Sequence, residues 1–251
     1  MSAVAVSLIT LAFVFGGAVL GIFLRVRLPE DQVGADSRDV VKLGMGLVGT
    51  MAALVLGLLI ASAKGSYDTQ SAELTDMSSK IVLLDRVLAH YGPESKEARD
   101  LLRAAVVRTL DRMGSKEQSG SSQSDPSSSG AEVLYDKIQG LAAQNDGQRS
   151  IQAQALNIAI SLGQTRWLMY EQRATSISIP LLAVLIFWLT IIFVSFGLFA
   201  PPNATVIASL FVTALSVSGA IFLILEMYTP YAGLIQISNA PLRAALAHLG
   251  Q

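Results

Sequence analysis

Long apolar stretches alternate with polar segments along this chain. Four stretches are nearly free of charged residues: 3–24, 40–63, 177–200 and 204–228. An α-helix of about 20 residues crosses the roughly 30 Å hydrocarbon core of a bilayer, and each stretch is long enough to do so. The pattern therefore predicts four transmembrane helices. The first has no basic segment before it and no clear cleavage site, so we interpret it as a retained helix rather than a signal peptide.

The polar region that follows the second span, residues 64–173, keeps a helical pattern. Two series of residues spaced by seven predict that the second helix continues to residue 91 and carries a seam for packing against other helices. Gly92 and Pro93 then end this helix, because glycine suits the C-cap and proline suits the next first turn. The two series are Tyr67, Leu74, Ile81 and Leu88, and Gln70, Met77, Leu84 and Tyr91.

Three more helices are predicted in the polar region, at 94–113, at 131–143 and from the capping residue Asp146 onward. The segment 115–130 contains eight serines and no large apolar residue, which indicates a flexible loop. The last helix is expected to run on into the third span. Its apolar stripe consists of Ile151, Ala155, Ile158, Leu162, Thr165 and Met169.

The connection after the third span and the C-terminal tail are short. Pro201 and Pro202 form a turn, and Asn203 is expected to cap the fourth span. Residues 238–251 predict a short amphipathic helix that begins at Asn239 and has Pro241 in its first turn. Its pattern fits packing against the helical bundle and lying on the membrane surface equally well.

These elements predict an all-α, four-span integral membrane protein with a helical extramembrane domain formed by extensions of spans 2 and 3. Transmembrane helices 1 and 2 occupy residues 1–63, the extramembrane domain 64–173, helices 3 and 4 residues 174–228, and the tail 229–251. An even number of spans places both termini and the domain on one side. Near the span ends that side carries five basic residues and the other side three, which favours a cytoplasmic domain in an inner-membrane protein.

Composition narrows the function. Only 15% of residues are charged, and 27 of the 37 charged residues lie in 64–173, where 14 acidic residues nearly balance 13 basic ones. The net charge of -1 gives no electrostatic attraction to nucleic acid. The chain has no cysteine, two distant histidines and no hydrolase, zinc-protease or Walker motif. We therefore expect no enzyme, no metal site and no cofactor.

Small residues distinguish the second span. Gly49, Ala53, Gly57 and Ala61 recur every four residues and form a ridge that lets helices approach closely. Ordinary packing within one chain accounts for such a ridge. The functional alternative is that this helix packs beside copies of itself around an axis, so that its other faces line a pathway.

Glu226 is the one acidic residue within the four spans. A carboxylate at that position needs a partner, because an unpaired charge in a membrane is costly. Arg166 and Arg173 precede the third span on the same side, so we predict an intramembrane ion pair between Glu226 and Arg173 or Arg166. An ion-binding role for Glu226 is the alternative.

Several segments resemble bestrophins, and more closely a bacterial family described as bestrophin-like. Residues 53–59, Ala-Leu-Val-Leu-Gly-Leu-Leu, are similar to the bestrophin pore helix around its Val-Leu-Gly core. Residues 226–233 and 240–242 are similar to the elements that follow the last bestrophin span, and the order of spans and helical region also matches. The resemblance to the bacterial family covers the full length, through residues 53–61, 90–94, 187–189, 196–201 and 216–226.

The resemblance implies a pentameric ion channel whose pore is lined by the second span, with the lipid bilayer, further copies of the chain and permeant small ions as partners. Carried over on the Val-Leu-Gly match, the pore neck falls at Thr50, Leu54 and Leu58, which would gate by dewetting. Thr50 departs from the usual large apolar residue. The acidic calcium clasp of animal bestrophins is absent after Gly233, so no calcium control is carried over.

Two questions stay open at the level of sequence. The neck has no charged ring, so the residues do not choose between anions and cations. Long helices that emerge from a membrane with a packing seam also suit a non-conducting sensor or scaffold. That alternative predicts that the serine-rich segment binds a partner.

Overall fold

Helices make up almost all of the described chain. A computed structural model describes residues 2–29, 35–114, 130–173, 178–230 and 233–250. These residues form eight α-helices, one 3-10 turn at Pro93–Ser95 and no strand, so the all-α prediction is confirmed. The helices are α1 (Ala3–Arg27), α2 (Ala35–Tyr91), α3 (Lys96–Gly114), α4 (Gly130–Gln139), α5 (Asp146–Arg173), α6 (Ile179–Phe199), α7 (Ala204–Met227) and α8 (Ala240–His248).

Four of these helices, α1, α2, α6 and α7, are long and apolar enough to cross a membrane. The four predicted spans are therefore confirmed, with boundaries that differ by a few residues. The predicted continuation of the second span is also confirmed, since α2 runs for 57 residues without a break. Gly92 follows it with a φ of 128°, a left-handed conformation that favours glycine, and Pro93 starts the 3-10 turn.

Two helix ends differ from the predictions, and side-chain amides explain both. α4 ends at Gln139 rather than at residue 143 because the Gln152 side-chain amide donates to the carbonyls of Ile138, Gln139 and Leu141, which a longer helix would otherwise satisfy. The cap of α5 is Asn145 rather than Asp146, since Asn145 Oδ1 accepts the backbone N–H of Gln148 at 2.8 Å.

The other predicted caps and connections have mixed outcomes. Asn203 caps α7 as expected, with Oδ1 accepting the N–H of Val206 at 2.8 Å. Asn239 makes no capping hydrogen bond, and the Ser238 hydroxyl accepts the N–H of Ala240 instead. The predicted loop 115–130, apart from Gly130, and the junction between α5 and α6 lie outside the described residues.

The helices divide into two compact units. The first comprises Met1–Ser66 and Ser176–Tyr228, and the second comprises Tyr67–Thr175 and Thr229–Gln251. The core of the first unit is built around fully buried Val14, Leu185, Ala214 and Ile221 from three of the apolar helices.

The second unit packs around the predicted seam of α2. All eight seam residues are buried or partly buried, which confirms the seam. Its core joins α2, α3, α4 and α5 to the C-terminal helix α8 and the residue after it, since Leu242, Ala245 and Leu249 are almost inaccessible to solvent. The tail therefore packs against the helical bundle.

A buried ion pair links α2, α3 and the end of the tail. Asp85 accepts hydrogen bonds from Arg99 Nε at 2.8 Å and Nη2 at 2.9 Å, and from the backbone N–H of Gly250 at 3.2 Å. Burial by itself would raise the pKa of the Asp85 carboxyl. The hydrogen bonds from Arg99 and Gly250, together with the charge of Arg99, outweigh it and hold the pKa below its ordinary value.

Candidate functional site

The part of α2 in the first unit has one packed face. Ala52, Leu59 and Ala63 are buried in the core of this unit, and Met45 and Val48 pack partly against it. These positions are separated by three, four or seven residues, which is the spacing of a single helix face. At the end of this face, the Ser62 hydroxyl hydrogen-bonds the Tyr228 hydroxyl at 2.9 Å.

The predicted neck positions lie on the opposite face of α2. At about 100° per residue, Leu54 is turned by roughly 200° from Ala52, so its side chain leaves the helix on the side away from the core. Leu54 is 75% exposed and Leu58 is 62% exposed, and Thr50 is exposed as well. Leu43 and Leu47 extend the same exposed apolar face toward the start of the helix. Large apolar side chains thus line the outer face of α2.

Polar groups on this face are few and are satisfied locally. The Thr50 hydroxyl donates to the Leu47 carbonyl of its own helix at 2.7 Å, so it is not a strongly polar group at the surface. Lys42 and Asp39 lie near the start of the helix and form an exposed ion pair at 3.7 Å. The face from Leu43 to Leu58 is therefore uncharged.

The predicted ridge of α2 has open space beside its glycines. A Cβ atom added at Gly49 or at Gly57 would meet no other atom within 4 Å. Ala53 and Ala61 are exposed. The ridge is thus available to a neighbouring helix, and its packing against copies of the chain stays a prediction.

The close helix packing in the first unit is between α1 and α6, which sequence reasoning missed. A Cβ atom at Gly21 would overlap the carbonyl oxygen of Val194, and one at Gly197 would overlap that of Ala18. Backbones this close require glycine on both helices. Gly17 and Gly21 lie four residues apart in an apolar helix, and this spacing is the sequence signal that could have predicted the contact.

Glu226 is only 6% exposed in the last turn of α7. Arg166 belongs to the second unit, where it lines a cavity, and the side chain of Arg173 lies outside the described residues. The ion pair therefore stays a prediction.

Comparison with protein families decides the class of this chain. The model of the Bestrophin-like domain matches residues 12–242, which run from α1 into α8. The chain belongs to the bestrophin-like family. Curated proteins and solved structures gave no significant match.

Membership in the bestrophin-like family gives the exposed face of α2 a functional context. Bestrophins are ion channels rather than enzymes, and a channel at the level of the family agrees with a multi-pass membrane protein that has four apolar helices. Among the described residues, no three His, Asp or Glu side chains are grouped so as to hold a metal ion. The outer face of α2 is the candidate site because it combines length, apolar character and exposure.

Proposed function

We propose that this bestrophin-like protein forms a homo-pentameric ion channel in the inner membrane. The α2 helices of the subunits line its pore, and Thr50, Leu54 and Leu58 form the neck. The observation that carries the proposal is the orientation of α2: its buried face lies in the core of the first unit, whereas the three neck residues leave the helix on the opposite side.

The open ridge supports assembly of several α2 helices around one axis. Small residues let helices approach closely, and close approach is what keeps a central pathway narrow. Each advance of four residues turns the helix by about 40°, so the ridge winds from Gly49, about 60° from buried Ala52, to Gly57, about 60° from Leu54. Gly49 and Gly57 are thus placed to meet an adjacent α2, while Leu54 and Leu58 face the axis.

An apolar neck controls the passage of ions by controlling whether water fills it. A narrow ring of leucine side chains disfavours a continuous water column, and an ion that enters it loses hydration without compensation. Conduction then requires the ring to widen. Because the described neck face is uncharged, its selectivity depends on charges that ions meet before and after the neck.

The test is recording from purified full-length protein in planar bilayers, using wild type, Leu54→Ala and Leu58→Ala. Each neck substitution should raise the current at a given voltage, since a smaller side chain widens the ring and lowers the dewetting barrier. Leu215→Ala is the matched control, because Leu215 is an exposed leucine on α7 and is not one of the neck residues. The control should leave the current unchanged.

Selectivity follows from the same recordings made with unequal KCl on the two sides. The reversal potential gives the sign of the permeant ion. Leu54→Lys should shift it toward anion selectivity, and Leu54→Glu toward cation selectivity, if Leu54 faces the permeating ions. Unchanged reversal potentials in both variants would remove Leu54 from the pore.

Particle images of the detergent-solubilised protein test the assembly. A five-fold ring with α2 innermost agrees with the proposal. A monomer or dimer with no current in any variant would contradict the channel and favour the sensor or scaffold.

Orientation in the membrane has its own test, because the natural chain has no cysteine. A cysteine introduced at the exposed position Ala153 of α5 should resist an impermeant thiol reagent applied outside intact cells. One introduced at Pro29, just beyond α1, should react. The reverse pattern would place the helical domain outside the cytoplasm.

A further inference from the structure

The second unit contains a cavity that the proposed pore does not use. Its volume is about 340 Å³, and it lies among helices α2, α3, α4, α5 and α8. Small residues create the space: Ala105, Ala131, Ala159 and Gly163 line it, and a Cβ atom at Gly163 would meet nothing within 4 Å. The cavity is therefore a gap in an otherwise packed helical bundle.

The cavity has an apolar interior. Ile81, Leu102, Leu134 and Leu242 line it, and all four belong to the buried core of the second unit. Among the described residues that line the cavity, Thr109 supplies the one hydroxyl, which donates to the carbonyl of Ala105 at 2.8 Å. An apolar chain that enters the cavity thus displaces water without leaving this hydroxyl unsatisfied.

Three arginines contribute to the same lining. Arg108 and Arg112 lie one turn apart on α3, and Arg166 comes from α5. Among the described residues that line the cavity, none is acidic. Burial, and next to it the positive charge of Arg112, lower the pKa of the Arg166 guanidinium from its ordinary value. Arg166 is partly buried, whereas Arg108 and Arg112 are exposed, and guanidinium groups form strong charge-assisted hydrogen bonds with a carboxylate.

We propose that this cavity binds a single-chain anionic amphiphile of the fatty-acid class. The acyl chain lies against the leucine and isoleucine side chains, and the carboxylate accepts hydrogen bonds from Arg112 and Arg166, with Arg108 adding positive charge. Ligand pockets commonly measure about 300–1,000 Å³, and this cavity lies at the small end, which suits one chain rather than a two-chain phospholipid. The proposal is independent of the channel.

The test uses decanoate that carries a photoreactive diazirine on its chain, added to the full-length protein in a neutral detergent. After irradiation, labelled peptides are mapped, and the concentration dependence of labelling gives an apparent affinity. Wild type should be labelled on α3 and α5 residues that line the cavity. The decanol analogue, which has the same chain and no charge, should label these peptides only weakly.

Two variants separate the head group from the chain. Arg112→Gln combined with Arg166→Gln should weaken labelling of the cavity by at least about tenfold, since hydrogen bonds to charged groups are lost. Gly163→Leu should abolish it by filling the space, with no backbone clash to disturb the fold. Arg149→Gln is the matched control, because Arg149 is exposed on the same helix α5 and pairs with Asp146.

Helical content by circular dichroism and the elution volume verify that each variant is folded. If the double arginine variant does not fold, the comparison of Gly163→Leu with wild type decides. The proposal is overturned if decanoate labels only the apolar helices of the first unit. It is equally overturned if decanol labels the cavity as strongly as decanoate does, or if Gly163→Leu retains the label.

Discussion

The buried carboxylate of Asp85 offers the sharpest test of how the second unit is held together. Its side chain is 2% exposed and receives two hydrogen bonds from Arg99 and one from the backbone N–H of Gly250. Asp85→Asn keeps the shape of the side chain and one acceptor oxygen. It removes the charge that Arg99 and the end of the tail both contact.

The size of the effect follows from these contacts. Breaking a buried ion pair by removing one partner costs about 3–5 kcal/mol, because the remaining charge is left desolvated. Arg99 is 22% exposed and can turn toward water, which places the expected loss near the lower end, at about 3 kcal/mol. For a domain of 150–250 residues, that loss lowers the melting temperature by roughly 6–12 °C.

The assay is thermal unfolding of the full-length protein in neutral detergent at neutral pH, followed by circular dichroism, with hydrogen exchange measured on α8. Asp100→Asn is the matched control on the same helix as Arg99, since Asp100 forms an exposed ion pair with Lys96 at 2.7 Å. Exposed pairs contribute about 0.2–1 kcal/mol. If Asp85→Asn shifts the melting temperature no more than Asp100→Asn does, or leaves exchange in α8 unchanged, the buried pair does not anchor the tail.

Three further outcomes are expected. Folding lowers the pKa of the Asp85 carboxyl, so its ionised form stabilises the folded protein. This stabilisation is present above the unfolded pKa of about 3.9 and is lost as the pH falls through the lower folded value. The difference in melting temperature between wild type and Asp85→Asn should therefore shrink below about pH 4. Gly21→Ala should destabilise the first unit by several kcal/mol, because the added methyl group overlaps α6. Gly16→Ala on the same helix meets open space and should be neutral or slightly stabilising. Equal melting temperatures of the two variants would contradict the close packing. Asn145→Ala should cost about 1 kcal/mol and speed hydrogen exchange in the first turn of α5, and unchanged exchange there would argue against the cap.

Local pattern was enough to predict most of the helices. The length of each apolar stretch predicted the four spans, and the spacing of seven in α2 predicted which residues of the seam are buried. The end of α2 at Gly92 was also predictable, because glycine and proline act on the backbone within one or two residues. Where a partner distant in sequence sets the boundary, as Gln152 does for the end of α4, the prediction was wrong by four residues.

The sequence by itself determined the class of the protein, its four apolar helices and the residues of α2 that resemble a pore helix. The tertiary structure decided which faces meet. It showed that α1 and α6 pack through Gly21 and Gly197, that the glycine ridge of α2 stays open, and that Asp85 and Arg99, 14 residues apart, form one buried pair. It also brought three arginines to one apolar cavity. Close approach and desolvation are properties of two surfaces together, so neither helix carries the information alone.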